Sequence, residues 1–220
     1  MKLYLDTSDY NLIQELAKTG LVDGVTTNPT NLSKKGGSPR QVIEKIFEVL
    51  PHGTISLEVT EKDPEKLYAQ ARALSKLKDT VLVKIPCHIA YYPTIKRLVD
   101  DGIKLNITLV FSVAQVMWMA KLGVHTISPF VGRLEEIGQN GISFLSDLCA
   151  LRNQYGFQSK ILAASLRTAA QVEQAMLLGV DAITIAPKLF QELTHHELTD
   201  KGIAQFEHDW RSLGSNIQFP

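Results

Sequence analysis

Short β-forming runs alternate with stretches of helical periodicity from one end of the chain to the other, and this alternation restricts the fold more than any other feature. The strand-like runs are residues 3–6, 24–27, 55–59, 81–85, 105–110, 126–130, 160–165 and 182–186. Between them apolar residues recur at helical spacing, as in Val42, Ile43, Ile46, Val49 and Leu50, or in Val113, Val116, Met117 and Ala120. Asp63-Pro64 and Ser112 stand where helices should begin, because their side chains can accept from orphan backbone N–H groups. Strands recur at intervals of roughly 20 to 30 residues, each pair joined by a helix, which is the repeat of a βα unit. Eight such units in 220 residues predict a single parallel (β/α)8 barrel of the α/β class. An open doubly wound sheet is the alternative, but no glycine-rich dinucleotide fingerprint follows the first strand. Residues 200–212 predict an extra amphipathic C-terminal helix. No linker or low-complexity stretch divides residues 1–220, so the expectation is one domain.

Composition narrows the function classes. The formal net charge is zero, and no basic block of the nucleic-acid-binding kind is present. No apolar run approaches the ~20 residues that span a bilayer. The N-terminus reaches Asp6 at once and lacks the apolar core of a signal peptide. Cys87 and Cys149 are too few for a disulfide framework, which fits a reducing cytoplasm. The expected partner is therefore a small molecule, with no nucleic acid and no membrane.

Side chains alternate across a strand. In ISLEV, Ile55, Leu57 and Val59 stand opposite Ser56 and Glu58; in VLVKIP, Val81, Val83 and Ile85 stand opposite Leu82, Lys84 and Pro86. Asn106 and Thr108 oppose Leu105, Ile107 and Leu109, while Tyr4 and Asp6 oppose Leu3 and Leu5. Thr26 aligns with Asn28, and Thr126 with Ser128 and Phe130. In a barrel the apolar rows pack on the helices, so these polar residues converge near the C-terminal mouth, where barrel active sites sit.

Lys84 stands out among them. An ammonium is costly to bury, and a desolvated lysine can act as a free amine that attacks a carbonyl to form a Schiff base. VLVKIP alone fits equally a lysine that snorkels to water or pairs with Asp6 or Glu58 for structure. Those two carboxylates could instead serve as general acid–base groups. Arg133 and Arg167 follow the sixth and seventh strands, with Ser165 beside the second arginine. Bidentate arginines on late barrel loops suit a phosphate, which favours a sugar-phosphate substrate. Other candidates are weaker. Cys87 and His88 would point opposite ways on a strand, and His195-His196 has no metal-binding spacing, so no metal site is expected. Trp118 and Trp210 read as packing residues.

The segments LYLDT, GVTTNPT, ISLEV, VLVKIP, ITLVFS, ISPFVGRL, LAASLRT and FEHDW resemble, in order along nearly the whole chain, the short microbial transaldolases. These are class I Schiff-base enzymes related to the fructose-6-phosphate aldolases. The resemblance implies that Lys84 forms the Schiff base and that Asp6 takes the proton of the C4 hydroxyl. It implies that Glu58 and Thr108 hold a proton-relaying water. Asn28 and Asn106 would bind the dihydroxyacetone hydroxyls, with Thr26 and Ser128 nearby, and Arg133, Ser165 and Arg167 would take the phosphate. The aldolase relatives carry glutamine in place of Glu58 and tyrosine in place of Phe130. The resemblance therefore favours transfer in the pentose phosphate pathway over simple aldol cleavage, because Phe130 has no proton to give the enamine. It implies no cofactor, since the protonated imine is the electron sink, and a pentameric or decameric homo-oligomer. A non-catalytic sugar-phosphate-binding barrel is the reading from another class. The chain departs from the family at CHIAYY, which follows Lys84 where a threonine-rich turn is usual, and this turn is expected to border the site.

Overall fold

The computed structural model describes residues 1–33 and 38–212. Eight strands are parallel and hydrogen-bonded in sequence order: β1 (Lys2–Asp6), β2 (Gly24–Thr26), β3 (Thr54–Glu58), β4 (Val81–Pro86), β5 (Leu105–Val110), β6 (Thr126–Pro129), β7 (Lys160–Ala163) and β8 (Ala182–Ile185). Pairing of β1 with β8 closes the barrel, as the βα alternation predicts. Every strand lies within two residues of its expected bounds.

Around the strands run α1 (Tyr10–Ala17), α2 (Pro29–Ser33), α3 (Pro39–Val49), α4 (Pro64–Ser75), α5 (Tyr92–Asp100), α6 (Val113–Lys121), α7 (Val131–Glu136), α8 (Gly141–Tyr155), α9 (Ala169–Leu177), α10 (Pro187–Thr194) and α11 (Glu197–Ser212). The anticipated caps form: Asp63 accepts from the Lys66 N–H with proline at the first helical position, and Ser112 accepts from Gln115. Helix α11 starts earlier than the apolar pattern indicated. The His196 ring accepts from the Leu198 N–H, and Glu197 and Asp200 place negative charge in the first turn, where the helix dipole favours it. No helix among the described residues is long and apolar enough to cross a membrane.

The apolar rows of the strands meet the helices in one large core. Leu5, Val25, Ile55, Val83, Ile107, Ile127, Ile161 and Ile183 are fully buried against such helix residues as Ile13, Ile46, Leu67, Leu98, Leu145 and Val172. Each aliphatic side chain so buried is worth about 1.5–3 kcal/mol, so the outer shell holds the barrel closed and leaves its interior free for polar residues. Helix α6 corrects one detail: Val116 and Met119 form its buried face, whereas Val113 is exposed at the helix start. Trp118 and Trp210, read as packing residues, are about half exposed. Inside the barrel, Tyr4, Leu162 and Ala182 pack into a small separate cluster near the N-terminal ends of the strands.

Candidate active site

Strand register sets the site. Glu58 of β3 lies beside Lys84 of β4, and Lys84 lies beside Asn106 of β5. Asp6 of β1 lies beside Thr26 of β2, which in turn lies beside Ser56 of β3. Inward parity therefore holds, and Ser56, Lys84, Asn106, Thr108, Thr26 and Ser128 are all buried. All twelve residues singled out from the sequence line one cavity of about 550 Å³ at the C-terminal ends of the strands.

Lys84 is 5% exposed and is neither snorkelling nor alone. Its Nζ sits 3.0 Å from Glu58 Oε2 and donates to the Thr27 carbonyl at 3.2 Å. A buried ion pair must replace the hydration of both charges, so such a pair is weak evidence for stability and stronger evidence for a site. Around it runs a polar ladder. Ser128 donates to Asn106 Oδ1 at 2.6 Å, and Asn106 Nδ2 donates to Ser56 Oγ at 2.9 Å. Thr26 and Thr184 share a hydrogen bond at 2.7 Å. Two hydroxyls are left over: Thr108 Oγ1 and Ser165 Oγ are buried without a partner among the described residues. An unsatisfied buried hydroxyl costs about 1–3 kcal/mol, which a bound polar ligand would offset.

Asp6 has its own support. Burial pushes its carboxyl above the usual aspartate range, while the Lys84 and Arg167 charges and a hydrogen bond from Asn31 pull it back down. Asn31 Nδ2 donates to Asp6 Oδ1 at 3.0 Å, whereas the Asn28 amide stands at the 3.5 Å limit. Asn28 Oδ1 accepts from the Asn31 N–H at 2.8 Å, and the buried Ser8 hydroxyl donates to the Asn31 carbonyl. Asn31 thus positions the carboxylate, a role the sequence reading missed. Its signal was faint: one more asparagine three residues beyond Asn28 in TTNPTN, at the start of a short helix. Leu109 and Thr184 also line the cavity unanticipated.

The rim is strained and cationic. Ser165 has φ 60° and Leu109 φ 56°, conformations that non-glycine residues rarely adopt and that gather at functional sites. Gly132 is needed opposite Ser165, because a Cβ there would lie 2.1 Å from the Ser165 carbonyl oxygen and 2.8 Å from Arg167 Cγ. The close fit lets the Gly132 N–H donate to that oxygen at 3.0 Å and brings α7 against the loop carrying Arg167. Arg133 lies over the Phe130 ring, 5.2 Å from its centroid, and Phe130 packs edge-on against Phe111. Arg167 donates to Glu136 at 3.3 Å on the exposed rim. The turn after Lys84 does not behave as expected. None of Cys87 to Tyr92 lines the cavity, and the Cys87 thiol lies 3.7 Å from the Tyr92 hydroxyl instead. Among the described residues no three His, Cys, Asp or Glu side chains gather as metal ligands do.

A closed (β/α)8 barrel with a buried lysine–carboxylate pair in a cavity that Arg133 and Arg167 also line is the usual layout of a barrel enzyme's active site. Among solved structures, a mandelate oxidase variant shares the barrel with a TM-score of 0.57 at 10% identity, covering 84% of this chain and 63% of that one. The likeness concerns the fold alone. Residues 3–217 match the family described as Transaldolase/Fructose-6-phosphate aldolase. A probable transaldolase of Caulobacter vibrioides is 42% identical over 99% of this chain and 100% of its own length. One from Lactiplantibacillus plantarum is 45% identical over 97% and 98%. The chain belongs to this enzyme family.

Proposed function

We propose that the protein is a transaldolase that moves a dihydroxyacetone unit between sugar phosphates through a Schiff base on Lys84. The observation that carries this reading is the buried Lys84–Glu58 pair inside a cavity rimmed by Arg133 and Arg167. In this mechanism Glu58 accepts the ammonium proton, and the free amine of Lys84 adds to the C2 carbonyl of sedoheptulose 7-phosphate or fructose 6-phosphate. Glu58 and the Thr108 hydroxyl, which line the same cavity, hold a water that relays the proton back as water leaves and the iminium forms. Asp6 then takes the proton from the C4 hydroxyl. The C3–C4 bond breaks, its electron pair moves onto the iminium nitrogen, and the aldose phosphate departs. Burial makes Asp6 a stronger base than an exposed aspartate, as this step requires.

The retained enamine adds to a second aldehyde, glyceraldehyde 3-phosphate or erythrose 4-phosphate, and the steps reverse. Asn28, Asn106, Thr26 and Ser128 hold the hydroxyls of the three-carbon unit, and Arg133, Ser165 and Arg167 hold the phosphate. The iminium accepts the electrons, so the chemistry needs neither metal nor organic cofactor. Phe130 offers no proton to the enamine, which favours transfer over release. The reading places residues 1–220 in one domain working in the pentose phosphate pathway of the cytoplasm. It includes a ring-like pentamer or decamer, supported by α11, which buries no residue and leaves Leu198, Ile203 and Phe206 exposed.

Borohydride reduction with fructose 6-phosphate tests the chemistry. The three-carbon adduct should appear by peptide mass spectrometry on the fragment containing Lys84. No added mass there would sink the Schiff-base reading and leave the non-catalytic barrel. In a coupled assay, acceptor-independent release of free dihydroxyacetone would instead mark an aldolase.

A further inference from the structure

The barrel has a second cavity, of about 390 Å³, at the opposite end from Lys84, and the two share no lining residue. Its residues come from the N-terminal ends of the strands, and Tyr4, Leu82 and Ala182 belong to its lining. Lys2, Lys104 and Lys160, at or just before the starts of β1, β5 and β7, line it together with His125. Two acids face them, Asp79 and Asp181. Asp181 is already engaged: its Oδ2 accepts from Arg152 at 2.5 Å and from the Ile161 N–H at 2.8 Å.

None of the three lysines has an ion-pair partner among the described residues, so the cluster carries excess positive charge at close quarters. The charges are felt at one point. His125 is held below the ordinary histidine range by burial and then by Lys160, Lys104 and Lys2 in turn. Its ring is fixed by a 2.8 Å hydrogen bond between Nδ1 and the Thr126 hydroxyl. Thr80 adds a buried hydroxyl with no partner among the described residues. Three ammonium groups outnumber the two carboxylates, one of which Arg152 already holds, and an anion bound between them would offset their mutual repulsion.

We propose that this N-terminal cavity is a second anion site, taking a phosphoryl group either as free phosphate or on a small metabolite. Its volume falls in the range of small-ligand pockets, lysines are common phosphate binders, and the unpaired Thr80 hydroxyl supplies a neutral contact. The inference does not depend on what happens at Lys84.

The test must silence the mouth, whose arginines also suit phosphate. In full-length Arg133→Ala/Arg167→Ala protein, calorimetric titration with inorganic phosphate and, separately, with fructose 6-phosphate should still show saturable one-site binding. The tighter of the two ligands identifies the source. Adding Lys104→Gln/Lys160→Gln should weaken it at least tenfold, roughly the effect of removing two charges from one site. The same pair of substitutions should raise the ligand-free Tm and abolish its rise on adding phosphate. Lys45→Gln/Lys66→Gln, on the outer helices with the same change in net charge, should change the affinity less than about twofold, as expected for screened surface charges. If the mouth variant binds neither ligand, or if the outer-helix control weakens binding as much, there is no second site.

Discussion

At the C-terminal end of the strands one lysine is buried and paired, whereas at the N-terminal end three lysines are exposed and without an ion-pair partner among the described residues. Carboxylates differ in the opposite sense. Asp6 and Glu58 face the mouth cavity with room for a ligand beside them, while Asp181 is tied down by Arg152 and by the Ile161 N–H. The strained residues Leu109 and Ser165 and the orphan hydroxyl of Ser165 all sit at the mouth. The lesson is that burial and ion pairing, not residue type, separate the lysine at the mouth from the solvated ones. Substitutions at the mouth should damage catalysis and leave folding intact; those at the other end should leave turnover intact and change stability.

Lys84→Met offers the sharpest break. Without the amine no covalent intermediate forms, and activity should fall by roughly 10⁴-fold or more, with the circular dichroism spectrum unchanged. Lys104→Met, the matching change at the other end, should alter kcat and KM by less than about twofold, the scale expected for a group outside the reaction. A large loss from Lys104→Met, or a small one from Lys84→Met, would erase the distinction between the two ends.

Asp181→Ala should show the reverse pattern. It removes the acceptor for Arg152, which is largely buried and would keep only the Gly179 carbonyl, and it leaves the Ile161 N–H without its carboxylate. The expected loss is about 1–3 kcal/mol in urea unfolding, because buried donors would go unpaired. For a chain of this size each kcal/mol is worth about 2–4 °C in Tm. Turnover at saturating substrate and 25 °C should stay at the parent value; a drop would mean that this end communicates with Lys84.

Much of this contrast was legible before any coordinates. The strands and their inward rows follow from a period of two, so Asp6, Glu58, Lys84 and Asn106 could be placed on one interior from parity alone. Parity could not tell whether Lys84 snorkels or pairs, because that depends on the stagger of β3 against β4, which brings Glu58 level with it. Asn31 was missed because it sits outside any strand, where no periodicity predicts orientation; a turn of helix swings it back onto Asp6. The turn from Cys87 to Tyr92 was misplaced for the same reason. Its proximity to Lys84 in the chain says nothing of direction once β4 has ended. Trp118 shows that a large apolar residue in a helical pattern can pack while half its surface stays open.

The smallest loss expected at the mouth is also the most diagnostic. Asn31→Ala removes the 3.0 Å hydrogen bond to Asp6 Oδ1, one of the interactions that hold the raised Asp6 carboxyl down. Loss of a hydrogen bond to a charged group costs about 1.5–3 kcal/mol, and Asn31 acts only through Asp6, so kcat/KM should fall by about the lower figure, roughly tenfold. The sign of the pH effect is fixed. Asp6 must be ionised to act as the base, and its carboxyl should rise further when the asparagine is gone. The acid limb of the kcat/KM profile should therefore move to higher pH, and Arg167→Ala should shift it in the same direction by removing a positive charge. Asn31→Asp should move it further still, by setting a second carboxylate against Asp6. A tenfold loss with an unmoved acid limb would make Asn31 a part of the loop scaffold only, and Asp6 would then owe its basicity to burial, opposed only by its cationic neighbours.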